Sequence, residues 1–110
     1  MCLILDKTRM SIFAKRLKEA RQDMGWSQER LGIEIGLEEA SASTRMNRYE
    51  LGKRAPNCDL VQRIAMVLDL PVSYFYAASD EEAWLLVMFH RMNAAERQKV
   101  METVRDLTLH

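Results

Sequence analysis

An all-α fold is what this sequence predicts, and three observations predict it. Apolar side chains recur at intervals of three and four, residues that end and start helices punctuate those runs, and the 110-residue chain holds only four glycines and two prolines. No segment reads as a strand. Hydrophobic residues make up 48% of the chain, which suits a packed protein and argues against disorder. The length allows one compact domain, or a smaller core carrying a helical extension.

Phe13, Leu17, Ala20 and Met24 form one apolar stripe on a first helix, which Gly25 ends as a left-handed residue. Ser27 is placed to cap a short second helix with Leu31 and Ile35 inward, and Gly36 ends it. The polar stretch Leu37–Ser41 leads to a third helix with Ala42, Met46 and Tyr49 inward, closed by Gly52. Asn57 caps a fourth, whose core face is Leu60, Ile64, Val67 and Leu68. Pro71 opens a brief fifth helix with Val72 and Phe75 inward. Two more helices follow. One runs from about Asp80 to Met92 with Trp84, Leu85, Met88 and Met92 on one side; the other starts at the capping-box pattern Asn93-Ala-Ala-Glu96 and aligns Val100, Val104 and Leu107. The organisation is five helices and then two: residues 1–11 as an N-terminal extension, 12–78 as the main domain, 79–110 as a C-terminal helical extension.

The net charge is zero, but its distribution is uneven. Residues 1–25 carry six basic and three acidic side chains, residues 43–54 carry four basic against Glu50 alone, and residues 80–110 carry four basic and six acidic. One face suited to a polyanion and another turned elsewhere would give this pattern. Cys2 and Cys58 have no metal or redox spacing, and Cys58 is expected to be a small packing residue. The opening apolar run is too short for a signal peptide, nothing approaches a membrane span, and a cytoplasmic location is expected. His90 and His110 are isolated, and there is no phosphate loop, metal motif or nucleophile with a base, so neither an enzyme nor a cofactor is expected.

Three segments carry more than periodicity: Arg16-Leu-Lys-Glu-Ala-Arg21, Gly25-Trp-Ser-Gln-Glu-Arg-Leu31, and Asn47-Arg-Tyr-Glu-Leu-Gly-Lys-Arg-Ala-Pro56. With Ile64-Ala-Met-Val-Leu-Asp-Leu-Pro71, they closely resemble the phage-repressor (Cro-type, XRE-like) helix-turn-helix family over about residues 12–76. The resemblance implies a five-helix, lambda-repressor-like domain that binds double-stranded DNA. The second helix would brace against the sugar-phosphate backbone while the third lies in the major groove. Gln28 matches the family's glutamine that bonds a phosphate oxygen and steadies the third helix; the plain alternative is a solvated first-turn residue. Ser43, Thr44 and Arg48 match positions facing base edges, with Arg45 and Asn47 on or near the same side. An arginine can fork onto guanine O6 and N7, worth about 1–3 kcal/mol of discrimination; Arg45 and Arg48 suit phosphates equally well. Lys53 and Arg54 match the loop that grips phosphate, and Arg21 and Glu50 match a structural ion pair.

One departure stands out. Gly36 to Glu50 spans fourteen residues, longer than the family's usual spacing by about one helical turn. Either the turn is longer, or the third helix starts early. Asp69 also replaces the glycine usual after the fourth helix.

Family members usually act as two-fold dimers on near-palindromic sites. Trp84, Leu85, Met88 and Phe89 offer a homodimer interface, unless they complete the core of the monomer. The expected activity is a DNA-binding transcriptional regulator, more specifically a repressor. Two alternatives share the fold: an antitoxin that also binds a toxin protein, and a protein-interaction module that no longer binds DNA. The cluster Arg45, Arg48, Lys53 and Arg54 speaks against the last.

Overall fold

A computed structural model describes residues 7–109, and the described chain is entirely helical. The elements are α1 (Lys7–Asp23), α2 (Gln28–Glu34), α3 (Glu39–Glu50), α4 (Cys58–Leu68), a short 3-10 helix (Val72–Tyr76), α5 (Asp80–Arg91) and α6 (Ala94–Thr108). Expectations for Cys2 and His110 lie outside the described residues. Residues 7–11 belong to α1 rather than to an extension.

The helix ends follow side-chain chemistry. Ser27, Asn57, Ser79 and Asn93 each accept a bond from a backbone N–H three residues on, capping α2, α4, α5 and α6. Asn93 and Glu96 complete a reciprocal capping box. Gly36 ends α2 with φ +94°, a conformation that a Cβ would oppose. Asp69 adopts the same left-handed region at the end of α4 (φ 52°), where the family uses glycine.

The core joins α1, α2, α3, α4 and the 3-10 helix. Phe13, Leu17, Leu31, Ile35, Met46, Val61, Ile64 and Phe75 are its most deeply buried side chains. Phe75 stacks at 5.6 Å from Phe13 and edge-on at 5.2 Å from Tyr74. Arg16 is buried as well. Its Nε donates to the Ala77 carbonyl at 3.0 Å and its Nη1 to Asp80 at 2.9 Å, tying α1 to the start of α5.

Several expected packing positions are corrected. Met24 is exposed, because α1 stops at Asp23 and the chain turns away. In the fifth element Tyr74, not Val72, turns inward beside Phe75; a 3-10 helix has three residues per turn, which shifts the face that meets the core. Cys58 is exposed in the first turn of α4 and packs no core. On α5 the inner side is Ala83, Leu86 and Val87, so Trp84 (62% exposed) and Leu85 (52%) do not complete the monomer core. Met88, Phe89 and Met92 are half-buried. α6 buries no residue at all, and Val104 and Leu107 lie open to solvent.

Candidate nucleic-acid interface

α2 and α3 cross at close range because Gly32, within α2, leaves room for Ala42. A Cβ at position 32 would lie 2.7 Å from the Ala42 Cβ, a separation atoms do not tolerate. Leu31, Ile35, Ala42 and Met46 fill the crossing, all of them buried. The turn between the helices is short. α3 begins at Glu39, so the extra residues lengthen the helix at its N-terminal end, and the stretch Leu37–Ser41 is loop only as far as Glu38. Glu38 is the capping residue but makes no side-chain cap bond. Glu39 lies in the first turn of α3, where the helix dipole favours a carboxylate.

A polar network fixes the orientation of α3. Arg21 donates from Nε to Glu50 Oε2 at 2.6 Å and from Nη2 to Oε1 at 2.9 Å, a two-pronged ion pair with side chains 12% and 2% exposed. The bond to Glu50 holds the Arg21 guanidinium above its ordinary pKa, against the opposing effect of burial. Arg21 Nη1 also donates to the Trp26 carbonyl at 2.7 Å, which pins the loop between α1 and α2. Gln28, the first residue of α2, donates from Nε2 to Glu50 Oε1 and to Asn47 Oδ1, each at 3.2 Å. Its amide N–H groups are thus turned toward α3, and bonding a phosphate would require releasing one. With its Oδ1 accepting from Gln28, Asn47 turns its amide donors away from that bond.

The outer side of α3 carries Ser43, Thr44, Asn47 and Arg48, all exposed, as two adjacent pairs four residues apart. Arg45, also exposed, is drawn toward the edge of this surface by a bond from Nη2 to the Tyr49 hydroxyl at 3.0 Å. Lys53 and Arg54 follow in the loop after α3, exposed, with buried Pro56 anchoring the loop to the core. No other described side chain bonds Arg48, Lys53 or Arg54, and the same holds for Ser43 and Thr44. Ala40, one turn before Thr44 on the same side, is exposed too. In the sequence it falls within the polar stretch Leu37–Ser41. Gly32, an isolated glycine inside a helical pattern, is a recognisable sign of close packing.

Two short crossed helices, the second displaying polar side chains beside a basic loop, are matched in sequence as well. The pattern that defines the helix-turn-helix family fits residues 17–75. The chain belongs to the helix-turn-helix family. Its helix-turn-helix domain is of the phage-repressor-like, XRE-like kind. No curated protein sequence matches the chain. Among solved structures it is similar to the transcriptional regulator BswR, with 35% identity, a TM-score of 0.80, and coverage of 84% of this chain and 92% of the other. That likeness covers more of the chain than the family pattern does. Among the described residues no group of three or more His, Cys, Asp and Glu side chains is placed to hold a metal ion. No helix among them is long and apolar enough to cross a membrane.

Proposed function

We propose that this DNA-binding regulator is a sequence-specific repressor that holds a near-palindromic operator as a homodimer. The observation that carries the reading is the outer side of α3: polar side chains, with Ser43, Thr44 and Arg48 bonded to no other described side chain, on a helix held in place by the Arg21–Glu50–Gln28–Asn47 network. A reader of base edges needs such rigidity, because a misplaced donor loses its bond.

In this reading Arg48 forks onto a guanine, while Ser43, Thr44 and Asn47 meet neighbouring base edges. Arg45, with one nitrogen engaged by Tyr49, takes an edge position against backbone or base. Lys53 and Arg54 bond phosphates beside the end of α3, and Gln28 bonds a further phosphate when it yields one of its internal bonds. The early start of α3 brings Ala40 to the leading edge of the helix, where a methyl group suits a thymine methyl.

The dimer is supported by the apolar residues that α5 and α6 leave uncovered. Trp84 and Leu85 are exposed on α5, and Met101, Val104 and Leu107, at intervals of three, are exposed on α6. Met88 and Phe89 flank them, with Phe89 partly covered by the Arg97 guanidinium at 5.2 Å. Repression needs no further machinery, since a dimer bound across an operator excludes other proteins from the same DNA.

Selection of bound duplexes from a random pool, repeated across salt concentrations, tests the reading. The expected product is an inverted repeat with half-site centres about one turn, roughly 10–10.5 base pairs, apart or a multiple of that, bound with a steep salt dependence. Failure to enrich any sequence would sink it. A second, different chain that stays bound through purification would favour the antitoxin reading over a plain regulator.

A further inference from the structure

Beside the reading surface lies a second charged feature, between the N-terminal half of α1 and the loop that follows α3. It is an open groove of about 590 Å³. Ala14 and Gly52 form part of its lining, and their small size brings the loop close to the helix. Lys7, Ser11 and Lys15 line it from α1, at successive intervals of four residues on one helical face. Lys53 lines it from the loop.

Among the described residues the charge in this groove is only partly offset. Glu50 is the carboxylate that reaches it, and both Glu50 oxygens are already engaged by Arg21 and Gln28. Lys15 sits 3.3 Å from Asp80 and 4.0 Å from Glu19, but at 55% exposure such pairs are weak and readily exchanged. No described side chain pairs with Lys7 or Lys53. The α1 row from Lys7 to Lys15 runs about 12 Å, over which one strand of a duplex presents about three phosphates.

We propose that this groove is a second phosphate-binding surface, in which Lys7, Ser11 and Lys15 take the DNA backbone flanking the bases read by α3. The inference rests on the DNA-binding reading and extends the footprint outward from Lys53, which belongs to both surfaces. A free phosphate-bearing effector would share the chemistry, but Lys53 makes the groove continuous with the proposed duplex contact, so the duplex is the occupant. The groove supplies affinity without sequence preference, because it meets no base.

The test uses the full chain and the operator obtained by selection, with Lys7→Ala and Lys15→Ala made singly and together. Ser11→Ala serves as the neutral-donor control, and circular dichroism checks that each variant keeps its helix content. Each lysine lost is expected to make the plot of log K against log salt shallower by about 0.9, or about eightfold weaker binding at 0.1 M salt. The selected sequence should stay the same. Trimming the duplex so that the flanking phosphates are absent should weaken the parent protein by the same factor and erase the difference between parent and variants. An unchanged salt slope in the double variant, with the parent still binding its operator, overturns the groove assignment alone. A parent protein with no salt-dependent binding to any duplex overturns the DNA reading and this inference together. Variants that keep the duplex slope but lose binding of inorganic phosphate would instead assign the groove to a small anion.

Discussion

Arg48 and Glu50 are two positions apart on α3 and have opposite duties. Arg48 is exposed and unpartnered, so its removal should leave folding untouched. Arg48→Ala is expected to weaken binding to the selected operator by about 1–3 kcal/mol and to relax one base position; an equal loss on every sequence would make it a phosphate contact. Glu50 is buried against Arg21, and Glu50→Ala would strand a guanidinium with little water to replace its partner. The expected loss of unfolding free energy is about 3–5 kcal/mol, read from urea denaturation. Replacing both partners with apolar residues of similar volume should cost less than removing Glu50 alone, because no charge is then left uncompensated. The pair was legible in the sequence only through the family resemblance, since no spacing rule links residues in different helices. Arg16 was not legible as a buried residue at all. Glu19, one turn on, is a local partner, but the Ala77 carbonyl and Asp80 lie more than sixty residues away.

Elements were legible where a side chain marks their ends. Ser27, Asn57 and Asn93 cap α2, α4 and α6 as the sequence predicts, and Gly25, Gly36 and Gly52 take the left-handed turns. The start of α3 was not legible because Glu38 caps it without a side-chain bond, leaving Leu37–Ser41 to read as a polar loop. The inward face of α5 was hidden for another reason. Apolar residues occur on both of its sides, and the largest, Trp84, is left outside together with Leu85. The first residue of α5 adds a polar link to the packing of Ala83, Leu86 and Val87. Asp80 accepts from Arg16 and from Lys15, and these bonds hold its carboxyl below the ordinary carboxylate range. Its folded-state pKa is therefore lower than its unfolded one, so the stabilisation is full above the ordinary value, about 3.9, and fades as pH falls through the folded value. Asp80→Asn should melt below the parent protein at neutral pH, with the gap closing as the pH is taken from about 4 towards 2. A gap that persists in full at the acid end would show that geometry, not charge, makes the link.

The molecule as a whole is longer than a compact domain of its size. Its radius of gyration is 15.6 Å, against about 13 Å expected for this chain length, and its extents are 55 × 28 × 22 Å. α6 buries no residue of its own, so little within the chain holds it in place beyond the capping box and the bonds from Arg97 to the Phe89 and His90 carbonyls. Fifteen residues is close to the shortest helix that persists alone in water. Trp84→Glu is expected to raise the dissociation constant of the proposed homodimer by about thirtyfold or more, measured by analytical ultracentrifugation. Joining it to Leu107→Glu should give monomers that still contain an intact helix-turn-helix domain. A dimer unaffected by both changes would move the interface elsewhere.

In the proposed homodimer, a second copy lying against the uncovered side of α6 would couple the stability of that helix to pairing. Far below the dissociation constant, the amount of paired protein then rises as the square of the total amount. In that dimer, halving the cellular copy number would leave about a quarter of the operator-competent species, and the uncovered face of α6 would make the regulator's output a steep function of its own dosage.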